Sequence, residues 1–146
     1  MPWSRVLSFT DPLACQAAVQ AGDVEILPTA RGRFHVEMTQ IGMDKLWMQR
    51  FGVVLPQIST IATAHDRMAI GFVETSSPNL QHCGVEVTPN DILVHGHDIL
   101  HQRSASGFHY GTMSVPLNDF PAFAKRSLGE SFWKNRAPRL SVRVLR

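Results

Sequence analysis

The stretch Arg33-Phe34-His35-Val36-Glu37-Met38-Thr39-Gln40 decides the fold class. Phe34, Val36 and Met38 fall on one face of an extended chain, and Arg33, His35 and Glu37 on the other. A period of two is the mark of a half-buried β-strand, because successive side chains point to opposite faces. Working outward, the same kind of segment recurs. Val24–Leu27 is short and β-branched, Lys45–Phe51 follows the break at Gly42, and His65-Asp66-Arg67 separates Gln57–Ala64 from Met68–Glu74. Beyond the Ser76-Ser77-Pro78-Asn79 loop come Gly84–Val87, Asp91–His95, Ile99–Arg103 and Phe108–Val115. Short strands at roughly ten-residue spacing predict an all-β sandwich or barrel. Nothing in the run has the βαβ rhythm of a parallel sheet.

Helices are predicted only toward the ends. Asp11 is placed to cap, Pro12 suits the first helical position, Leu13–Ala21 is alanine-rich, and Gly22 is the stop. Later, Asn118 or Asp119 caps a second helix. Pro121 sits in its first turn, Phe120, Phe123, Ala124 and Leu128 have helical spacing, and Gly129 ends it. Leu140–Leu145 reads as extended.

The chain has 146 residues, 44% hydrophobic and 18% charged, which is one globular domain's worth and excludes a low-complexity polymer. No apolar run approaches the roughly 18 residues of a membrane span, and the N-terminus is no signal peptide. Two cysteines, Cys15 and Cys83, form no disulfide framework, so the expected setting is the cytoplasm with reduced thiols. The net charge of +2 hides an asymmetry. Residues 1–124 carry seven Lys/Arg against eleven Asp/Glu, whereas residues 125–146 carry seven Lys/Arg against Glu130 alone. A basic terminal segment on an acidic body is either a solvated tail or a contact for an acidic partner or DNA.

The candidate chemistry is sparse. His95-Gly96-His97 puts two imidazoles on one face of a strand, about 7 Å apart at Cα, with His101 and His109 nearby. Neutral imidazoles of that kind bind zinc or iron, which makes a small metal-dependent enzyme one alternative. The pattern is short, however, and polar pocket or surface histidines are its ordinary meaning. There is no Gly-x-Ser-x-Gly elbow, Walker loop or His-Glu-x-x-His helix. Cys83 beside His82 is no catalytic dyad, since neighbours on a strand diverge, and it reads as a half-buried thiol. Trp47 is either core or pocket wall. A barrel of this size encloses one small ligand, and Trp, Phe and Met with an Arg or His at the mouth would suit an apolar or aromatic acid.

In its order of elements the chain resembles the ligand-sensing half of AraC/XylS-type transcriptional regulators. The resemblance is carried by Phe9-Thr10-Asp11-Pro12 opening a helix, then Arg31–Thr39 followed by Leu46-Trp47-Met48-Gln49-Arg50. Gly84–Ile92 is similar to a cupin strand-turn-strand element, with Asn90 where cupins usually place Gly and where Asn tolerates a positive φ. Ser114-Val115-Pro116-Leu117 leading into Phe120–Gly129 resembles the barrel exit and linker helix.

The resemblance implies a mainly β, cupin-like antiparallel barrel or sandwich with a short N-terminal helix and a C-terminal linker helix. It implies residues 1–115 as an effector-binding barrel and 116–146 as a linker and dimerisation helix with a basic tail. A small-molecule effector and a homodimer are the implied partners, with no membrane partner, cofactor or metal and no catalysis. Such regulators read DNA with a separate pair of helix-turn-helix motifs of on the order of 100 residues. Only seventeen residues follow Gly129, so this chain alone is expected to bind no specific operator. The first cupin region offers only His35 and Glu37, without a paired imidazole, which argues against metal catalysis. Strand alternation makes Arg33, Trp47, His95, His97 and Tyr110 the candidate ligand-binding residues. A third reading is an interaction module whose basic tail docks an acidic partner or, nonspecifically, DNA.

Overall fold

The computed structural model describes residues 1–96, 99–129 and 142–145. It is a two-sheet antiparallel sandwich, mainly β, rather than a closed barrel. In chain order the strands are β1 (Trp3–Phe9), β2 (Gly22–Pro28), β3 (Val36–Met43), β4 (Leu46–Val53), β5 (Gln57–Thr63), β6 (Arg67–Val73), β7 (Leu80–His82), β8 (Val85–Val87), β9 (Ile92–His95), β10 (Ile99–Ser104), β11 (Phe108–Pro116) and β12 (Val142–Leu145). One helix, α1 (Pro12–Ala18), follows β1, and a second, α2 (Phe120–Leu128), follows β11 through a single 3-10 turn at Leu117–Asp119. The larger sheet runs β1-β3-β4-β11-β6-β9-β12 and the smaller one β2-β5-β10-β7-β8. Among the described residues no helix is long and apolar enough to cross a membrane.

The alternation read at Phe34–Gln40 is the observed burial of β3, in which Val36, Met38 and Gln40 are buried and Glu37 is exposed. Inward residues of both sheets form the core, with Val36, Met38, Val53, Leu80, Leu93 and Phe108 among its members. A second cluster lies on the opposite side of β6, β9 and β11. There Met68, Ile70, Val94 and Val115 alternate with the inward residues and are covered by Phe120 at the start of α2. That is why β6 is buried along nearly its whole length, and why Phe120 anchors the second helix on its own sandwich. Burying such a ring contributes about 2–3 kcal/mol. The side chains of Phe123, Ala124 and Leu128, the rest of the predicted helix face, lie outside the described residues.

Several elements depart from the sequence reading. Helix α1 is capped by Asp11, whose Oδ1 accepts from Leu13 N at 3.1 Å, but it ends at Ala18, three residues early. Val19 is already extended, Ala21 takes φ 65°, and Gly22 opens β2 instead of stopping the helix. At Gly22 a Cβ would sit 2.7 Å from the Ala62 carbonyl oxygen, so the close pairing of β2 with β5 requires glycine there. Strand β1 was not foreseen. It exists through its pairing with β3, Val6 opposite Thr39, and most of it is exposed at the sheet edge, so it carries little hydrophobic alternation. Asn90 keeps a negative φ, and the left-handed residues of that region are Cys83 (49°) and Gly84 (80°) in the β7–β8 turn. This turn leaves Cys83 exposed rather than half-buried. The final stretch returns as β12, antiparallel to β9.

Candidate functional site

Between the two sheets lies a cavity of about 100 Å³. That is on the order of the space that holds one small aromatic ring. Its walls follow the period of two. Strand β4 contributes Gln49, Phe51 and Val53, and the neighbouring β11 contributes Thr112, Tyr110 and Phe108 directly opposite them. From the smaller sheet, β5 turns Gln57, Ser59, Ile61 and Thr63 inward, and β10 adds Gln102 and Ser104. Ser59 pairs with Gln102 and Gln57 with Ser104, so four polar side chains form one continuous patch. Facing them are the apolar Val36, Phe51, Val53 and Phe108. The cavity is therefore mostly apolar, Val24, Ile26 and Ile61 also lining it from the smaller sheet, and the β5–β10 patch is its main polar edge.

Helix α1 closes another side with Cys15 and Val19. Glutamines hold it in place. Gln16 Oε1 accepts from Ile26 N at 2.8 Å, and Gln40 Nε2 donates to Ala18 O at 2.7 Å. Gln49 bonds both main-chain groups of Gln20, so its amide is consumed by positioning. Burial pushes the Cys15 thiol up to about 11, so it remains protonated.

A chain of polar contacts crosses the sandwich. Gln102 Nε2 lies 2.8 Å from His82 Nδ1, and the Tyr110 hydroxyl bonds the Gln102 side chain. His95 Nδ1 lies 3.0 Å from Thr63 Oγ1, and the His82 and His95 rings are 6.2 Å apart. Burial holds both imidazoles down at about 4, His82 adding to the effect at His95, so both are neutral at physiological pH. Burial likewise pushes the Tyr110 phenol up to about 12. Among the described residues three buried polar atoms have no protein hydrogen-bond partner: Gln20 Oε1, Gln57 Oε1 and His82 Nε2. The first two belong to residues that line the cavity. Such atoms are uncommon in folded proteins.

Of the residues singled out from the sequence, His95 and Tyr110 line the cavity. Arg33 does not; it is exposed in the segment before β3. Trp47 does not either, since its ring lies 3.8 Å under the Arg67 guanidinium. His97 lies outside the described residues. His101 is exposed and bonds Thr60 on the outer face of the smaller sheet, and His109 packs against Gly52. Among the described residues no three His, Cys, Asp or Glu side chains are grouped to hold a metal ion. Sequence reasoning missed the polar patch of β5 and β10. The available signal was the inward set Gln57, Ser59 and Thr63 in a strand whose other face carries the exposed Ile58, an inverted polarity that a simple core does not need.

No protein-family model matches this sequence, and no curated protein matches it. Solved structures do. The AraC-like transcriptional activator CuxR superposes with a TM-score of 0.57 at 13% identity, over 86% of this chain and 51% of that one. The chain thus spans about half the length of CuxR. KdgF from Halomonas sp. gives 0.41 at 15% identity, over 66% of this chain and 89% of that one. The plu4264 protein from Photorhabdus luminescens gives 0.40 at 14%, over 74% and 86% respectively. The likeness to CuxR is one of fold, and it agrees with the mainly β fold that the order of sequence elements implied.

Proposed function

We propose that this chain is the effector-binding domain of an AraC-type transcriptional regulator and that its role is recognition, not catalysis. The observation that carries the reading is the cavity between the sheets, lined in part by His95, Tyr110 and the β5–β10 polar patch. The fold shared with CuxR supports it. Effector binding would favour one arrangement of α1, α2 and a partner subunit, which is how a binding domain regulates. In this reading residues 1–115 bind effector and 116–146 connect and dimerise; the division is one of role, since β12 pairs with β9 in the same sheet. The protein works in the cytoplasm as a homodimer, where its two free thiols stay reduced. Binding is tested by thermal shift against small acids, sugars, alcohols and aromatics, and dimerisation by sedimentation. A ligand-dependent rise in Tm that His95→Leu and Tyr110→Phe diminish is expected. A Tm indifferent to every compound removes the sensing role.

A further inference from the structure

We infer that the cavity selects a small uncharged molecule that presents hydroxyl groups along one edge and an apolar face on the other. This rests on the effector-binding reading and adds the chemical class of the effector. Three observations carry it. First, among the described residues no Asp, Glu, Lys or Arg lines the cavity. A carboxylate or ammonium brought there would lose much of its water and meet no opposite charge. Arg33, the cation best suited on sequence grounds to meet an acid, is outside.

Second, the polar patch has an unmet acceptor. Gln57 spends its Nε2 on Ser59 Oγ at 3.2 Å, while its buried Oε1 has no partner. Gln20 Oε1, at the α1 side, is in the same position. Acceptors left bare in this way call for a ligand that donates, and a hydroxyl does so without carrying charge. Third, Phe51, Val53 and Phe108 on the wall opposite offer a hydrophobic face, with the Tyr110 and Thr112 hydroxyls further along β11. The imidazole of His95, neutral through burial, completes the uncharged lining.

Calorimetric titration of the whole chain at neutral pH with two matched series tests the inference. One series is benzyl alcohol, toluene, benzoate and benzylamine; the other is cyclohexylmethanol, methylcyclohexane and cyclohexanecarboxylate. The arms separate an aromatic from an alicyclic alcohol as the source of the hydroxyl. The uncharged hydroxylated member of at least one series should bind about tenfold or more tighter than its charged and its donor-less counterparts. Gln57→Leu should erase its advantage over the donor-less compound. Preferential binding of benzoate, benzylamine or cyclohexanecarboxylate overturns the inference while leaving effector sensing intact. Equal binding of toluene and benzyl alcohol overturns it as well. Failure of every compound to bind overturns the inference, and the effector-binding reading falls with it only if the wider thermal-shift panel is silent too. The wild-type comparison decides even if the variant does not fold.

Discussion

The side-chain amide of Gln49 grips the main chain of Gln20 at both ends: Oε1 accepts from its N–H at 2.9 Å and Nε2 donates to its carbonyl at 3.0 Å. Oε1 also accepts from Gln40 Nε2 at 2.9 Å. A strand residue thereby does for the α1–β2 connection what a ladder does for a strand. Gln49→Leu leaves a main-chain donor and acceptor unmet, a cost of about 1–3 kcal/mol. Amide exchange should accelerate first in residues 12–22, ahead of the sandwich. Unchanged protection there would show that α1 is held by packing alone.

Acid should destabilise the fold through its two buried imidazoles. His82 and His95 titrate near 6.5 when unfolded and about 4 when folded. The unfolded chain therefore binds more protons between those values, and stability falls as pH drops. Their contribution is complete above about 6.5 and gone below about 4, on the order of a few kcal/mol in all. Urea midpoints measured across that window should decline, and the decline should flatten in the His82→Gln/His95→Gln variant. A separate loss below the ordinary Glu range belongs to Glu74, which Arg50 holds low through a paired hydrogen bond.

Glycine at 71 is an accommodation for Tyr110. An added Cβ would lie 2.0 Å from the phenol oxygen. Gly71→Ala must push the ring, and over-packing of this kind costs about 1–3 kcal/mol. Removing the hydroxyl with Tyr110→Phe should relieve part of the strain, so the double variant should be more stable than the sum of the two single effects. A strictly additive cycle would place the strain elsewhere.

Arg67 is buried without a carboxylate partner in its hydrogen bonds. Its Nε donates to Ser114 Oγ at 2.9 Å, its Nη2 to the carbonyls of Ser114 and Lys45, and its plane stacks on Trp47. Burial lowers its affinity for the proton, with Asp66 opposing, yet a guanidinium stays charged. Arg67→Met should cost about 2–4 kcal/mol and shift Trp47 fluorescence. A loss below about 0.5 kcal/mol would mean these bonds merely replace those to water.

The thiols should separate kinetically. Cys83, exposed in its turn, should react with a thiol reagent at once, and Cys15 only on unfolding, because its thiolate is suppressed by burial. Equal rates would contradict the closed placement of α1.

What the amino-acid order determined by itself was local. A period of two at Phe34–Met38 and in the later segments fixes strands, because a pleated backbone offers a side chain only two directions. Asp11 before Pro12 and Gly129 after Leu128 mark helix limits for equally local reasons. The mainly β class followed from the order of those signals. Tertiary structure decided the rest. Strand β1 depends on β3 for its existence, and α1 ends where Gln49 seizes Gln20, contacts whose energy comes from residues far away in the chain. The site was less legible for the same reason. His95 and Tyr110 stood out by residue type, but the patch of Gln57, Ser59, Gln102 and Ser104 exists only once β5 and β10 are paired in register. Which face of a strand becomes interior depends on that pairing, since a shift of one residue turns every side chain to the other side. Trp47 and Arg33 look like pocket residues by chemistry alone. The packing of the two sheets puts one beneath Arg67 and the other in solvent.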